Sequence, residues 1–385
     1  MRVTGLTARD FRNYERLEVE LGERMTVIVG PNGSGKTNLL EAVYFGCSGR
    51  SPRTSNDRDL VRRSATAARV TVSTVDDEGR EHTLEAAFQP GEPKLLRVDG
   101  SPVENLWTTD ARPLISVFLP ERLELVKGAP ANRRAHLDQL VAALWPARAV
   151  ARTAYSRALA QRNALLGRIR AAAAAPDSLS AWDSELARQG IELMAARAEA
   201  VELLAPRFTA RAVDLGLPEP AEVVYRPRSH ADSSEGLAAE LLERRGADIE
   251  RGFTAHGPHR DDLRLLHARE PLRGFGSQGQ QRAGLLALLF AERDLLAAER
   301  DRPPLMLLDD VMSELDATRR ALLADLLRDS GQGVVTATEL EHVPGHDGPD
   351  VVVLTVAGGE VARRPGTGVP GPVSSPDAGV EDGLP

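Results

Sequence analysis

The segment Gly30-Pro-Asn-Gly-Ser-Gly-Lys-Thr37 constrains this chain more than any other. Its spacing, G-x-x-x-x-G-K-[ST], carries meaning only after an apolar strand and before a helix. Both flanks are legible: Met25-Thr-Val-Ile-Val is a short buried-strand run, and a helical stretch follows from Lys36 to about Gly46. Glycines at these positions let successive backbone N–H groups turn inward around an anion. The following helix aims its positive end at the same point. Lys36 can reach the outer phosphates of a nucleoside triphosphate, and the Thr37 hydroxyl can bind Mg2+. The loop therefore nominates Gly30, Pro31, Asn32, Gly33, Ser34, Gly35, Lys36 and Thr37 as a phosphate-binding set. The bland alternative is a chance glycine turn, which leaves the flanking strand and helix unexplained.

Composition narrows the class. The chain has 385 residues, 42% hydrophobic and 27% charged, which fits two to three globular domains. A formal charge of −8 argues against a uniformly basic, histone-like binder and leaves local basic patches open. Cys47 is the single cysteine, so no disulfide framework or cysteine zinc site forms within one chain. The longest nearly pure apolar run, Ala283 to Ala291, is too short to span a bilayer. Arg2, Arg9, Asp10 and Arg12 occupy the start with no apolar core, unlike a secretory signal. A cytoplasmic protein with no membrane partner is expected. Lys36 is one of only three lysines, with Lys94 and Lys127.

Strand patterns open the chain at Val3-Thr-Gly-Leu-Thr-Ala and Leu17-Glu-Val-Glu-Leu. Residues 65 to 120 are again β-rich: Ala68 to Val75 alternates, and Asp76-Asp-Glu-Gly is a hairpin-type turn. Leu114 to Leu119 is a buried run closed by Pro120. From Ala131 to Gly216 alanine, leucine and arginine dominate and strand patterning vanishes. Trp182, Leu186, Leu193, Val201 and Leu204 share one helical face, and Pro146, Pro176 and Pro206 are expected to start or end helices. Two helices of about 30 residues would give an arm of about 45 Å. Strand patterning returns at Ala221 to Tyr225, Leu305 to Leu308 and Gly333 to Thr338, and helices are expected from Ser277 to Arg300 and Ala317 to Arg328. The expected division is a head at 1–130, a helical arm at 131–220, a second head part at 221–357 and an unstructured tail at 358–385.

A phosphate loop needs an acidic metal partner at the end of another strand. Leu305-Met-Leu-Leu-Asp-Asp310 supplies one, with Asp309 at the metal and Asp310 as the base for the attacking water. Ser277-Gln-Gly-Gln-Gln-Arg282 places a serine at a helix N-cap with Gly279 and Gln280 behind it, an anion-binding geometry or an ordinary cap. Ser313-Glu-Leu-Asp316 is a short acidic turn.

Together these segments resemble the ATP-binding-cassette family. Ser277-Gln-Gly-Gln looks like its signature and Ser313 to Asp316 like its D-loop. The wide separation of Lys36 and Asp309, with a helical insert between them, resembles the SMC-like branch of DNA repair and chromosome maintenance. Within it, the short arm is similar to the bacterial recombination-mediator ATPases. That likeness rests on Phe11 to Tyr14, Gly35 to Ala42, Gly49 to Arg53, Leu125 to Pro130, Arg133-Arg134, Leu137-Asp138, Gly257 to Leu263, Ser277 to Arg282, and Leu308 to Val311 with Ser313 to Asp316. The resemblance implies an α/β cassette head of mixed sheets interrupted by a helical arm. It implies ATP and Mg2+ as cofactors, with Thr37 and Asp309 on the metal and Lys36, Asp310 and Ser277 in catalysis. It implies an ATP-driven homodimer with Ser277 acting in trans, DNA (duplex, single-stranded or gapped) as ligand, mediator partners, recombinase loading and SOS support. Val334-Val-Thr-Ala-Thr338 carries threonines where such ATPases place a switch histidine, which implies slow hydrolysis. Another SMC-like chromosome-maintenance ATPase is the alternative. A transport cassette would need closer motifs, and a chromosome tether a long heptad arm.

Direct signs of nucleic-acid binding are weaker. Arg50, Arg53, Arg58, Arg62, Arg63 and Arg69 cluster against Asp57 and Asp59. Residues 148 to 170 hold six arginines and no acid, and Arg148, Arg152, Arg162 and Arg170 share a helical face, though with Tyr155, Leu159 and Leu166. This stripe is either a set of phosphate contacts or a solvated surface. Aromatics at 4% leave little for base stacking, so backbone or junction shape is the expected target. His256 and His259, flanking Gly-Pro, fit a structural turn better than a metal site.

Overall fold

A computed structural model describes residues 1–217, 220–329 and 331–365. The chain begins with β1 (Arg2–Phe11), β2 (Tyr14–Glu20) and β3 (Met25–Val29), then α1 (Lys36–Ser48). Strands β4 (Ala68–Val75), β5 (Glu81–Phe88), β6 (Leu95–Val98), β7 (Ser101–Pro102) and β8 (Ile115–Phe118) follow. Next come α2 (Glu124–Lys127), α3 (Pro130–Leu144), α4 (Ala149–Arg170), α5 (Ser180–Asp214) and β9 (Ala221–Arg226). Then α6 (Ser234–Glu243), α7 (Arg245–Arg251), β10 (Asp262–His267), β11 (Glu270–Pro271), α8 (Leu272–Phe275) and α9 (Gln278–Arg300). The chain ends through β12 (Leu305–Leu308), α10 (Ala317–Asp329), β13 (Gly333–Ala337), β14 (Val351–Ala357) and β15 (Glu360–Arg363). It divides into two units, Met1–Arg112 with the residues from Gln332 onward, and Pro113–Gly331.

The first unit is made from both ends of the chain. An antiparallel sheet runs in the order β2-β1-β4-β5-β6-β7. Ala68, Val70 and Val72 point inward along β4 while their neighbours face out, the period-two pattern of a half-buried strand. β3 lies between β13 and β14 and is parallel to both. Such strands are covered on both faces, so they read as continuous apolar runs. Gln332 joins the two layers: its side-chain amide donates to the carbonyls of Val3 (2.7 Å) and Gly22 (2.7 Å) and accepts from the Val3 N–H (2.8 Å).

In the second unit the long helix α5 packs against α4, α6, α9 and β9. β9, β10 and β11 form a small antiparallel sheet, and β8 pairs with β12 in parallel. Tyr155, Leu186, Leu193, Leu237 and Leu241 form one apolar cluster around α5.

Three expectations change. The arm region forms helices of 15, 22 and 35 residues instead of two near 30. Pro146 and Pro176 begin short 3-10 turns, but Pro206 sits inside α5. The missing N–H there is offset by burial of Leu204, Phe208 and Ala212 along the same helix. The segment expected as an unstructured tail contains β15, paired with β14; residues 366–385 lie outside the described residues. Among the described residues no helix is long and apolar enough to cross a membrane.

Candidate functional site

The phosphate loop connects β3 to α1 as the spacing predicts. Gly33 and Gly35 take φ of +80° and +118°, the left-handed side that β-carbon sterics deny to other residues. At Gly35 a β-carbon would also fall 2.5 Å from Asn13 Nδ2 and 2.8 Å from the Tyr14 hydroxyl. Lys36, the first residue of α1, is 7% exposed. Its ammonium donates to the carbonyls of Gly30 (2.8 Å) and Pro31 (3.1 Å), which hold it within the loop. The Ser34 hydroxyl is buried and has no hydrogen-bond partner among the described residues. A β-carbon on Gly33 would meet only open space. A buried hydroxyl, a held ammonium, a helix N-terminus and open space beside the glycines fit a polyphosphate anion.

Residues that received no individual role at the sequence level support this loop from behind. β1 and β2 close a hairpin with Phe11 opposite Tyr14, leaving Arg12 and Asn13 at its tip. Asn13 Nδ2 donates to the Ser34 carbonyl (3.3 Å), and the Tyr14 hydroxyl to the Gly35 carbonyl (2.9 Å). The Arg12 guanidinium forks onto the fully buried Glu41 carboxylate at 2.8 and 2.7 Å. Ser51 (2.6 Å) and Arg53 (3.2 Å) donate to the same carboxylate. Two motif segments, Phe11 to Tyr14 and Gly49 to Arg53, thus converge on one acid of α1. A buried carboxylate bonded on both oxygens fixes the geometry of whatever it touches.

In the second unit β12 lies parallel to β8, and the Asp309 N–H donates to the Phe118 carbonyl (2.9 Å). Asp309 is buried at the strand end. Asp310 adopts φ +47°, a left-handed value that is costly for a residue with a side chain and clusters at functional sites. Ser313 donates to the Asp310 carbonyl (2.9 Å). Ser277 caps α9: its hydroxyl accepts from the Gln280 N–H (3.2 Å), and the Gln280 side chain accepts from the Ser277 N–H (2.8 Å). This is a capping box, so the ordinary-cap reading holds, yet Ser277, Gln278 and Gly279 remain exposed.

The Gly257 to Leu263 motif forms the polar centre of the second unit. Arg133 forks onto Asp262 at 2.8 and 3.2 Å. Arg197 bonds both oxygens of Asp138 (2.8 and 3.1 Å), the Pro258 carbonyl (2.8 Å) and Asp261 (3.1 Å). Tyr225 donates to Asp261 as well, and burial pushes both the Tyr225 and Asp261 pKa values up. His259 bonds Tyr155 and the Thr254 carbonyl, and His256 bonds Glu240. Both histidines serve the turn. The arginine stripe on α4 is broken at Arg162, which is fully buried between Asp183 (2.7 Å) and Asp248 (2.8 Å). Arg148 pairs with Glu199 and Arg152 with Asp138.

A strand–phosphate loop–helix in one unit, with a strand ending in two aspartates and a capped Ser-x-Gly helix in the other, defines a P-loop ATPase head of the ATP-binding-cassette type. The model of the RecF/RecN/SMC N terminal domain matches residues 2–104. The chain is 39% identical to the DNA replication and repair protein RecF of Streptomyces avermitilis, over 90% of this chain and 95% of that one. It is 36% identical to RecF of a Nocardioides species, over 94% and 100%. A solved structure of the recombination mediator protein RecF-ATPrS in the RecFOR pathway superposes with a TM-score of 0.82, at 27% identity over 94% and 98%. A RecF-ATP structure also gives 0.82 at 26%, over 94% and 97%. An Smc head bound to the C-winged helix domain of ScpA shares the fold, with a TM-score of 0.58 at 17% identity over 94% and 98%. The chain belongs to the RecF family of DNA replication and repair proteins.

Proposed function

We propose that this chain is an ATP-driven switch of recombinational repair. ATP binds at Gly30 to Thr37, two copies close on it, and the closed homodimer holds duplex or gapped DNA. RecR and RecO are its partners in loading recombinase and supporting the SOS response in the cytoplasm. The observation that carries this reading is the phosphate loop, where the Ser34 hydroxyl is buried with no hydrogen-bond partner among the described residues and the Lys36 ammonium is held by the Gly30 carbonyl. The solved relatives described as RecF-ATP and RecF-ATPrS in the RecFOR pathway support the ligand and the partners.

In this assignment Lys36 binds the β- and γ-phosphates. Thr37 and Asp309 would hold Mg2+, which when bound neutralises phosphate charge. Asp310 orients the attacking water. Ser277, Gly279 and Gln280 act on the other copy's nucleotide, a role that needs the exposure Ser277 and Gly279 have. The threonines at Thr336 and Thr338 supply no basic switch group, so hydrolysis is weak. The test is ATP turnover and DNA retention of the purified chain, with and without ATP. Slow turnover accelerated by duplex DNA is expected. Lys36→Met should abolish ATP-dependent retention, and Ser277→Arg should bind ATP yet stay monomeric. Turnover indifferent to DNA, with no DNA retained, would overturn the reading.

A further inference from the structure

The Gly257 to Leu263 motif buries most of its polar groups and leaves Arg260 exposed. The Arg260 guanidinium lies 5.6 Å from the centre of the Phe253 ring, which is 42% exposed. Next to Phe253, Gly252 takes φ +78°, and a β-carbon there would fall 2.7 Å from Arg170 Nη1. Arg170 Nη1 donates to the Arg251 carbonyl at 3.1 Å. Arg170 and Arg251 are exposed, and among the described residues none of Arg170, Arg251 and Arg260 pairs with a carboxylate. This contrasts with Arg133, Arg162 and Arg197 of the same unit, each tied to an aspartate. Arg134 extends the patch: its guanidinium bonds the Asp261 carbonyl at 2.7 Å. Burial, then the Arg197 charge and, to a smaller extent, Arg260, push its pKa down despite Asp261 and Asp262. Glu250 is the exposed acid in the adjoining turn of α7.

The patch is also held rigid. The Thr254 N–H donates to Asn163 (2.8 Å), and buried Arg162 donates to the Thr254 hydroxyl (2.7 Å). The Arg260 N–H donates to the Gly257 carbonyl (2.9 Å). A partly exposed ring with the Arg260 guanidinium beside it, on a pinned loop that also carries the exposed Arg251 and is met by Arg170, has the chemistry of a stacking platform on a charged track.

We infer that Arg170, Arg251, Phe253 and Arg260 form a contact surface for a single strand of DNA, with phosphates on the arginines and an unpaired base against Phe253. The inference rests on the DNA-binding reading above and names the part of the molecule that meets the unpaired strand. A single strand pairs flexible phosphates with free base faces; a duplex offers only the phosphates.

The test uses the full chain with ATP and two fluorescent probes, a dT oligonucleotide and a duplex of equal length, titrated across a salt series. Phe253→Ala should weaken dT binding about tenfold and leave the duplex within about twofold. Arg170→Gln with Arg251→Gln should lower the salt slope for dT by about 1.4, two phosphates' worth. ATP turnover without DNA serves as the folding control and should be unchanged in each variant. Equal losses on both probes, or none on dT, would overturn the inference while leaving DNA binding standing. Failure of the unaltered chain to bind either probe would instead overturn the DNA-binding reading.

Discussion

His259 shows how a single side chain reports its surroundings. Its Nε2–H donates to the Thr254 carbonyl (2.9 Å), so Nδ1 accepts from the Tyr155 hydroxyl (2.7 Å). Protonating Nδ1 would force the Tyr155 hydroxyl to change from donor to acceptor. Burial, reinforced by the charges of Arg260 and Arg134 and opposed by the Thr254 bond, lowers its pKa to about 4. The unfolded chain takes up this proton near pH 6.5. Between pH 6.5 and 4 the unfolded state therefore binds more protons, and stability falls as pH falls. The loss is about 3 kcal/mol, complete below the folded-state value. Urea midpoints at pH 7.5 and 4 should converge between the unaltered chain and His259→Gln as pH drops. An unchanged gap would mean that His259 is not held neutral. The sequence offered this histidine as part of a turn, and the structural role follows from its bonds to Tyr155 and Thr254.

At the scale of elements, α4 illustrates the limit of helical periodicity. Arg152, Arg162 and Arg170 lie within α4 and Arg148 just before it, yet the face their spacing predicts is not uniformly wet. Arg162 faces α5 and α7, whose Asp183 and Asp248 lie 21 and 86 residues away. No local pattern identifies such acids. Arg162→Leu leaves two carboxylates in an apolar centre, although Asp183 keeps Arg245 (2.7 Å). It should cost about 3–5 kcal/mol, read as a shift in the urea midpoint. Full stability combined with lost DNA binding would restore the stripe reading. Element boundaries were more legible. α9 begins at Gln278 behind Ser277, and β4 spans Ala68–Val75, because caps and alternation are local signals. β14 and β15 were not anticipated, since β14's apolar run finds its meaning only beside β3.

Considered whole, the molecule has one discontinuous unit and one continuous one. β3, which carries the phosphate loop, is flanked by β13 and β14 from the far end of the chain. A chain stopped after Gly331 would lose both neighbours and uncover Val27 and Ile28, which are now fully buried. It should lose ATP binding and leave residues 1–112 open to protease, while residues 113–331 resist as a helical fragment. A resistant 1–112 fragment would contradict the division into these units. The convergence of Phe11 to Tyr14, Glu41 and Ser51 to Arg53 belongs to the same scale. Their motifs were visible in the sequence, but their common target was not.

The strand–phosphate loop–helix, the acidic strand end and the capped Ser-x-Gly helix are all legible from local sequence, and through those motifs so is the family. These depend on short-range rules: backbone turns that need glycine, caps that need serine, strands that need apolar runs. Which charges are buried and which face solvent was settled by the packing of the whole chain. It placed Arg162 in the core and, among the described residues, left Arg170, Arg251 and Arg260 without carboxylate partners, with Arg260 beside the exposed Phe253 ring. The physical reason is that desolvation and pairing act through space. An arginine's role is set by acids far along the chain, which periodicity cannot see.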